Sequence, residues 1–137
     1  MMEQLRRTII LLLACIGLLF VSCTQQQVAY QNVEADSLIN AAYQDRNYDS
    51  IVSLANIYQQ DGTLSTLKAC YWRGYAYSRQ RKMRMAEMEW NNAIAQSVET
   101  NEDLDYYAQS ANRLVGLQYR KTNYGEAIQV AQTAIKI

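Results

Sequence analysis

The chain has 137 residues, thirteen basic and thirteen acidic side chains, no histidine and no proline. That length is one small domain or a fragment of one, on the usual ~100–200 residues per domain. Without histidine there is no Ser-His-Asp or Cys-His relay and no imidazole-ligated metal; the balanced charge lacks the basic excess of a general nucleic-acid binder. Five glycines and no proline leave little turn chemistry for a many-stranded sheet. Half of the residues are apolar, enough for a core. The composition points to a helical, non-catalytic chain.

Residues 1–22 have the layout of an export signal. Arg6 and Arg7 form a basic start, an apolar run extends from Thr8 to Val21, and Ser22 precedes Cys23. The run is shorter than the ~20 residues that a spanning helix needs, which favours a cleaved signal over an anchor. Phe20-Val21-Ser22-Cys23 resembles the lipobox of bacterial lipoproteins, with Phe20 where that family prefers leucine. The resemblance implies cleavage before Cys23, lipidation of Cys23 and attachment to a membrane through that N-terminal lipid. Leu12-Leu13-Ala14-Cys15 also matches by letter but sits too early in the apolar run. Ordinary secretion, an uncleaved anchor and a buried N-terminal helix are the alternatives. Thr24, in place of an aspartate after the cysteine, resembles the outer-membrane sorting signal of diderm lipoproteins. The implied location is the cell envelope, in the outer membrane and facing the periplasm. Residues 23–31 then form a polar linker. Cys70 remains as the single unmodified thiol, so no intramolecular disulfide is expected, and its place on an apolar helix face reads as a small core residue.

Beyond the linker, apolar residues recur three and four positions apart, the helical period. Helices are predicted at Val33–Asp45, Asn47–Gln60, Leu64–Arg81, Met83–Ser97, Asp103–Lys121 and Asn123–Lys136. Breaks fall at Asp61-Gly62-Thr63, at the polar Thr100–Asp103 stretch, and at short turns around Arg46-Asn47 and Thr122-Asn123. Asp103 and Asp105 sit in a first turn, where carboxylates favour the positive helix end.

Between Leu67 and Val98 the chain carries Gly74, Tyr77, Met83, Ala86, Trp90 and Ala93. This spacing resembles the tetratricopeptide repeat of ~34 residues. Small Gly74 and Ala86 sit where two antiparallel helices approach closely, Tyr77 and Trp90 fill the space around them, and Ala93 lets the next hairpin stack. Tyr124, Ala127, Ala131 and Ala134 repeat the second-helix pattern after it; Tyr48, Ile51, Ala55 and Tyr58 do so before it. The anchors Ile51, Ala86 and Ala127 are 35 and 41 residues apart, so extra residues are placed in the acidic Glu99–Asp105 connection and the adjoining helix ends. Cys70, Arg73 and Val98 stand where the family has tryptophan, leucine and proline. The expected fold class is all-α: antiparallel helix–turn–helix repeats over about 32–65, 67–100 and 104–137, stacked as a short right-handed superhelix. A generic helical bundle is the alternative.

The resemblance implies a groove lined by the first helix of each repeat. Residue by residue it offers Lys68, Tyr71, Tyr75, Ser78 and Arg79 in the middle repeat, and Gln109, Asn112, Gly116, Tyr119 and Arg120 in the third. Asp36, Asn40, Tyr43 and Gln44 come from the first. Such a tyrosine-rich lining suits a protein or peptide partner, because tyrosine gives contact area at low entropic cost and arginine grips carboxylates. Lys68 and Asn112 alone do not reproduce the family's clamp for acidic C-terminal peptides. Arg79, Arg81, Lys82 and Arg84 cluster at one turn and read as a solvated turn, with a docking spot for an acidic partner as the other reading. Glycine is too sparse for a phosphate-cradling loop, and Glu87 and Glu89, two apart on a helix, do not face each other. No cofactor, metal, nucleic acid or enzymatic activity is expected. The favoured function is a lipid-anchored periplasmic scaffold. The alternative is the N-terminal sensor portion of a longer regulator, similar to Bacteroidetes-type proteins with a histidine kinase or helix-turn-helix output. That alternative draws on the finish of a repeat at Ile137 without a polar capping helix.

Overall fold

In a computed structural model of the chain, residues 33–136 are described. The signal at 1–22, the lipidation at Cys23 and the linker at 23–31 lie outside the described residues. Six helices occur among the described residues, with no strand: α1 (33–44), α2 (Tyr48–Gln60), α3 (Thr66–Arg79), α4 (Met83–Ile94), α5 (Asn101–Arg120) and α6 (Tyr124–Ala134). Consecutive pairs form three antiparallel hairpins. α3 packs against α2, α4 and α5, and α5 packs against α3, α4 and α6. The fold is all-α and repeat-like.

Each hairpin turns in the same way. Arg46, Arg81 and Thr122 adopt left-handed φ angles of 56°, 62° and 62°. In each turn that residue's N–H donates three residues back, to Tyr43, Ser78 or Tyr119. The next N–H donates five back, from Asn47 to Ala42, Lys82 to Tyr77 and Asn123 to Gln118, at 2.9 Å in every case. This paired arrangement satisfies the last carbonyls of the first helix and reverses the chain. Glycine is the usual occupant; a side chain there costs about 1–2 kcal/mol, offset here by the hydrogen bonds of the turn. Five residues after each left-handed position come Ile51, Ala86 and Ala127, all buried. The expected 35- and 41-residue spacing is therefore a spacing of equivalent turns. The longer interval lies in α5, which has 20 residues against 14 in α3.

Boundaries shift where a cap decides them. α3 starts at Thr66 rather than Leu64 because the Ser65 hydroxyl accepts from Lys68 N–H, while Leu64 is buried in the connection. α5 starts at Asn101, two residues earlier than expected, because Thr100 Oγ1 accepts from Asp103 N–H. α4 stops at Ile94, short of the expected Ser97. The Asp103 carboxylate accepts from the Ser65 hydroxyl at 2.7 Å and the Thr100 hydroxyl at 3.0 Å, tying the start of α3 to that of α5.

The core runs between hairpins. Ala35 and Ile39 pack with Ala55, Leu64 and Ala69; Ala42 packs with Ile51 and Ala76; and Ala86 and Trp90 pack with Leu114 and Leu117. Of the expected packing residues, Ala86, Trp90, Ala93, Ala127 and Gly74 are buried, and Tyr77 and Ala134 are half-buried. A β-carbon at Gly74 would lie 2.5 Å from Trp90 Nε1 and 2.6 Å from its Cδ1. The indole therefore rests directly on the α3 backbone. Its buried N–H has no hydrogen-bond partner among the described residues, so the ring contributes volume rather than polar contact. Gly74→Ala is expected to lower stability by about 1–3 kcal/mol, as overpacking does in a filled core. Urea denaturation followed by circular dichroism measures this; an unchanged midpoint would refute the tight helix approach.

Candidate functional site

The repeated turn sets the first helices α1, α3 and α5 side by side and pointing the same way. Lys68 near the start of α3 records this alignment. Its ammonium lies 2.8 Å from Asp36 Oδ1 of α1, pairs with Glu102 of α5, and sits 5.3 Å from the Tyr106 ring centre. Burial works against the charge on Lys68, yet the Asp36 and Glu102 carboxylates outweigh it and hold the ammonium pKa above its ordinary 10.5. One cation thus links all three hairpins.

Next to it lies an aromatic strip. Trp72 is half-buried, with ring centres of Tyr71, Tyr43, Tyr75 and Tyr106 at 5.4, 6.0, 6.1 and 6.3 Å. Tyr43 and Tyr75 are 5.4 Å apart, and Tyr71 and Tyr106 are 5.0 Å apart. The rings meet edge-on or tilted, the geometry favoured by their quadrupoles. Two guanidinium groups stack on Tyr75: Arg113 from α5 at 5.7 Å and Arg79 at 6.0 Å. Arg79 also donates to the Tyr48 hydroxyl at 3.4 Å. Burial, with Tyr43 beside it, raises the Tyr75 phenol pKa, and burial raises that of Tyr106. Both are neutral hydroxyls at physiological pH. Further along α5, Gln109, Asn112, Arg113, Gly116 and Arg120 line an open depression of about 360 Å³.

Most of the expected groove residues therefore share a face, but they are not equally accessible. Gln109, Asn112, Arg120 and Arg79 are exposed, Tyr43, Asn40 and Gln44 are exposed on α1, and Tyr75, Gly116 and Ser78 are half-buried. Lys68 and Tyr71 are only 6% exposed. Lys68 is held by two carboxylates and Tyr71 by Trp72 and Tyr106, so both support the face from behind. Asp36 is half-buried in the Lys68 pair. Tyr119 is 65% exposed and stacks on Tyr124 at 5.4 Å beside the third turn. Sequence reading passed over Trp72, Tyr106 and Arg113. Tyr106 and Arg113 are seven apart on α5, a same-face helical spacing, and that spacing is the signal that would have found these two.

Behind the face, Arg73 of α3 is buried. Its guanidinium lies 3.0 Å from Glu89 Oε2 and donates to Gln59 Oε1 at 2.6 Å and Asn56 Oδ1 at 3.2 Å. A buried arginine is tolerated when its donors are met in this way. Cys70 contacts the same guanidinium at 3.3 Å, but burial dominates and pushes the thiol up to about 11. It stays protonated at neutral pH, consistent with a core residue rather than a nucleophile. Among the described residues there is no cluster of three His, Cys, Asp or Glu side chains that could hold a metal ion. No helix among them is long and apolar enough to cross a membrane. No protein-family model, curated protein or solved structure matches the chain.

The raised Lys68 pKa has a signed consequence. A group whose pKa is higher folded than unfolded stabilises below the unfolded value and loses that contribution as pH rises through the folded one. Lys68→Met is expected to cost about 1.5–3 kcal/mol at pH 7, the range for hydrogen bonds to charged groups. The difference from wild type should shrink above pH 10.5. Urea titrations of both chains at neutral and alkaline pH check this, and a gap that persists at high pH would count against the ion pair.

Proposed function

We propose that this chain is a lipid-anchored scaffold of tetratricopeptide-like repeats that binds a protein or peptide segment on the face of α1, α3 and α5. The observation that carries this reading is the strip of Tyr43, Trp72, Tyr75 and Tyr106, drawn from three hairpins and flanked by Arg79 and Arg113. Clustered aromatic rings and arginines are the residue types that dominate binding energy at protein interfaces. Held against one another, these rings lose little entropy when a partner arrives. The depression at Gln109, Asn112 and Arg120 adds hydrogen-bonding groups that orient a peptide backbone. Binding, rather than catalysis, is the role that this surface supports. Lipidation at Cys23 and placement at the outer membrane facing the periplasm belong to the same proposal and rest on the Phe20–Cys23 motif and Thr24.

A photo-crosslinking residue placed at Asn112 should give a discrete adduct in cells, and Arg113→Ala should diminish it. The same residue at Met88, 54% exposed on α4, should give none. Equal adducts from both positions, or adducts from Met88 alone, would remove the face as the binding site. For the anchor, metabolic labelling with a fatty acid should mark the wild type and not Cys23→Ala. Equal labelling of the two would refute lipidation at that residue.

A further inference from the structure

The balanced composition hides a segregation of charge that goes beyond the proposed binding face. All three hairpin turns lie on one edge of the stack. Gln80 in the second turn donates to Asp49 by the first at 2.8 Å, and Lys121 and Gln118 by the third bond Glu87 just past the second. This edge carries Arg46 at the first turn, Arg79, Arg81, Lys82 and Arg84 at the second, and Arg120 and Lys121 at the third. The acidic groups among them are Asp45, Asp49, Glu87 and Glu126. At the opposite edge, where the hairpins are joined, Asp36, Asp61, Glu99, Glu102, Asp103 and Asp105 face Lys68 and Lys136. Seven bases against four acids at one edge, and two against six at the other, make a neutral chain strongly polar.

Two further features distinguish the turn edge from an ordinary solvated one. Lys121 is paired with Glu87 and Arg84 also acts on that carboxylate, but Arg46, Arg81 and Arg120 are exposed and form no ion pair among the described residues. Beside them stand exposed apolar tips: Met83 and Met85 at 37% and 39%, and Tyr119 and Tyr124 at 65% and 53%. Basic groups interspersed with tyrosine and methionine suit the boundary between lipid headgroups and acyl chains, where amphipathic rings settle.

We propose that the turn edge docks on the surface of an anionic phospholipid bilayer, its guanidinium groups on phosphates and its tyrosine and methionine tips at the interface. Neighbouring turns are joined by the Gln80–Asp49 and Lys121–Glu87 contacts, so a headgroup layer can meet adjacent turns together.

The test uses the full chain, vesicles of phosphatidylcholine alone or mixed with phosphatidylglycerol, and co-sedimentation. The apolar N-terminal segment acts on both vesicle types, so the readout is the ratio of the two affinities. Each basic group near an anionic surface is worth about a fivefold factor. The triple change Arg46→Gln, Arg81→Gln, Arg84→Gln should therefore cut the ratio by about a hundredfold, with an unchanged circular-dichroism spectrum. High salt should bring the wild-type ratio towards one. A wild-type ratio of one at low salt, or a ratio that the triple change leaves intact, would overturn the proposal. So would a salt-sensitive dimer formed without vesicles, or tighter binding to a duplex oligonucleotide than to the anionic vesicles, since each assigns the edge to another occupant.

Discussion

One left-handed residue per hairpin governs this architecture. By closing each first helix with the same pair of hydrogen bonds, Arg46, Arg81 and Thr122 reverse the chain by the same type of turn three times. A repeated reversal aligns α1, α3 and α5 in one direction and collects the turns at one edge. Both surfaces proposed to bind partners follow from that alignment: the aromatic face along the first helices and the basic edge across their ends. The strain of a side chain in the left-handed region is spread over three sites, each fully hydrogen-bonded, and the last is a β-branched threonine.

The middle hairpin carries most of the specificity of the stack. On one side of α3, Gly74 admits the Trp90 ring to the backbone. On another, Arg73 crosses to α2 and α4 through Asn56, Gln59 and Glu89. On a third, Lys68 reaches α1 and α5. Apolar packing alone would allow adjacent hairpins to slide by a turn. A buried cation with fixed partners does not, because a shifted register would leave it unpaired in a low-dielectric setting. The polar residues in this core therefore define which helix meets which, while alanines and leucines supply the bulk of the burial.

Much of the fold was legible in the residues. Helical periodicity located six helices, and the spacing of Ile51, Ala86 and Ala127 marked equivalent places in three hairpins before any coordinates. The candidate face was legible only in part. Gln109, Asn112, Tyr75 and Arg79 were placed on it by the repeat resemblance alone. Lys68 and Tyr71 have the same register and lie behind it, because exposure depends on what the neighbouring helices contribute. Asp36 and Glu102 are 32 and 34 residues from Lys68 in sequence, and no local pattern announces that they close around it. Trp72 escaped notice for the same reason: its four ring neighbours come from three different helices.

The sequence by itself determined the helical class, the positions of the turns and the small residues at which helices approach, since each depends on near neighbours along the chain. Tertiary structure alone decided which charges are neutralised and which stand free, because pairing depends on distances between hairpins. It made Arg73, a charged residue on a helix with a buried face, a satisfied core cation. It also sorted a balanced set of charges among the described residues into two edges of opposite sign, because electrostatic interaction depends on where charges sit and not on how many there are.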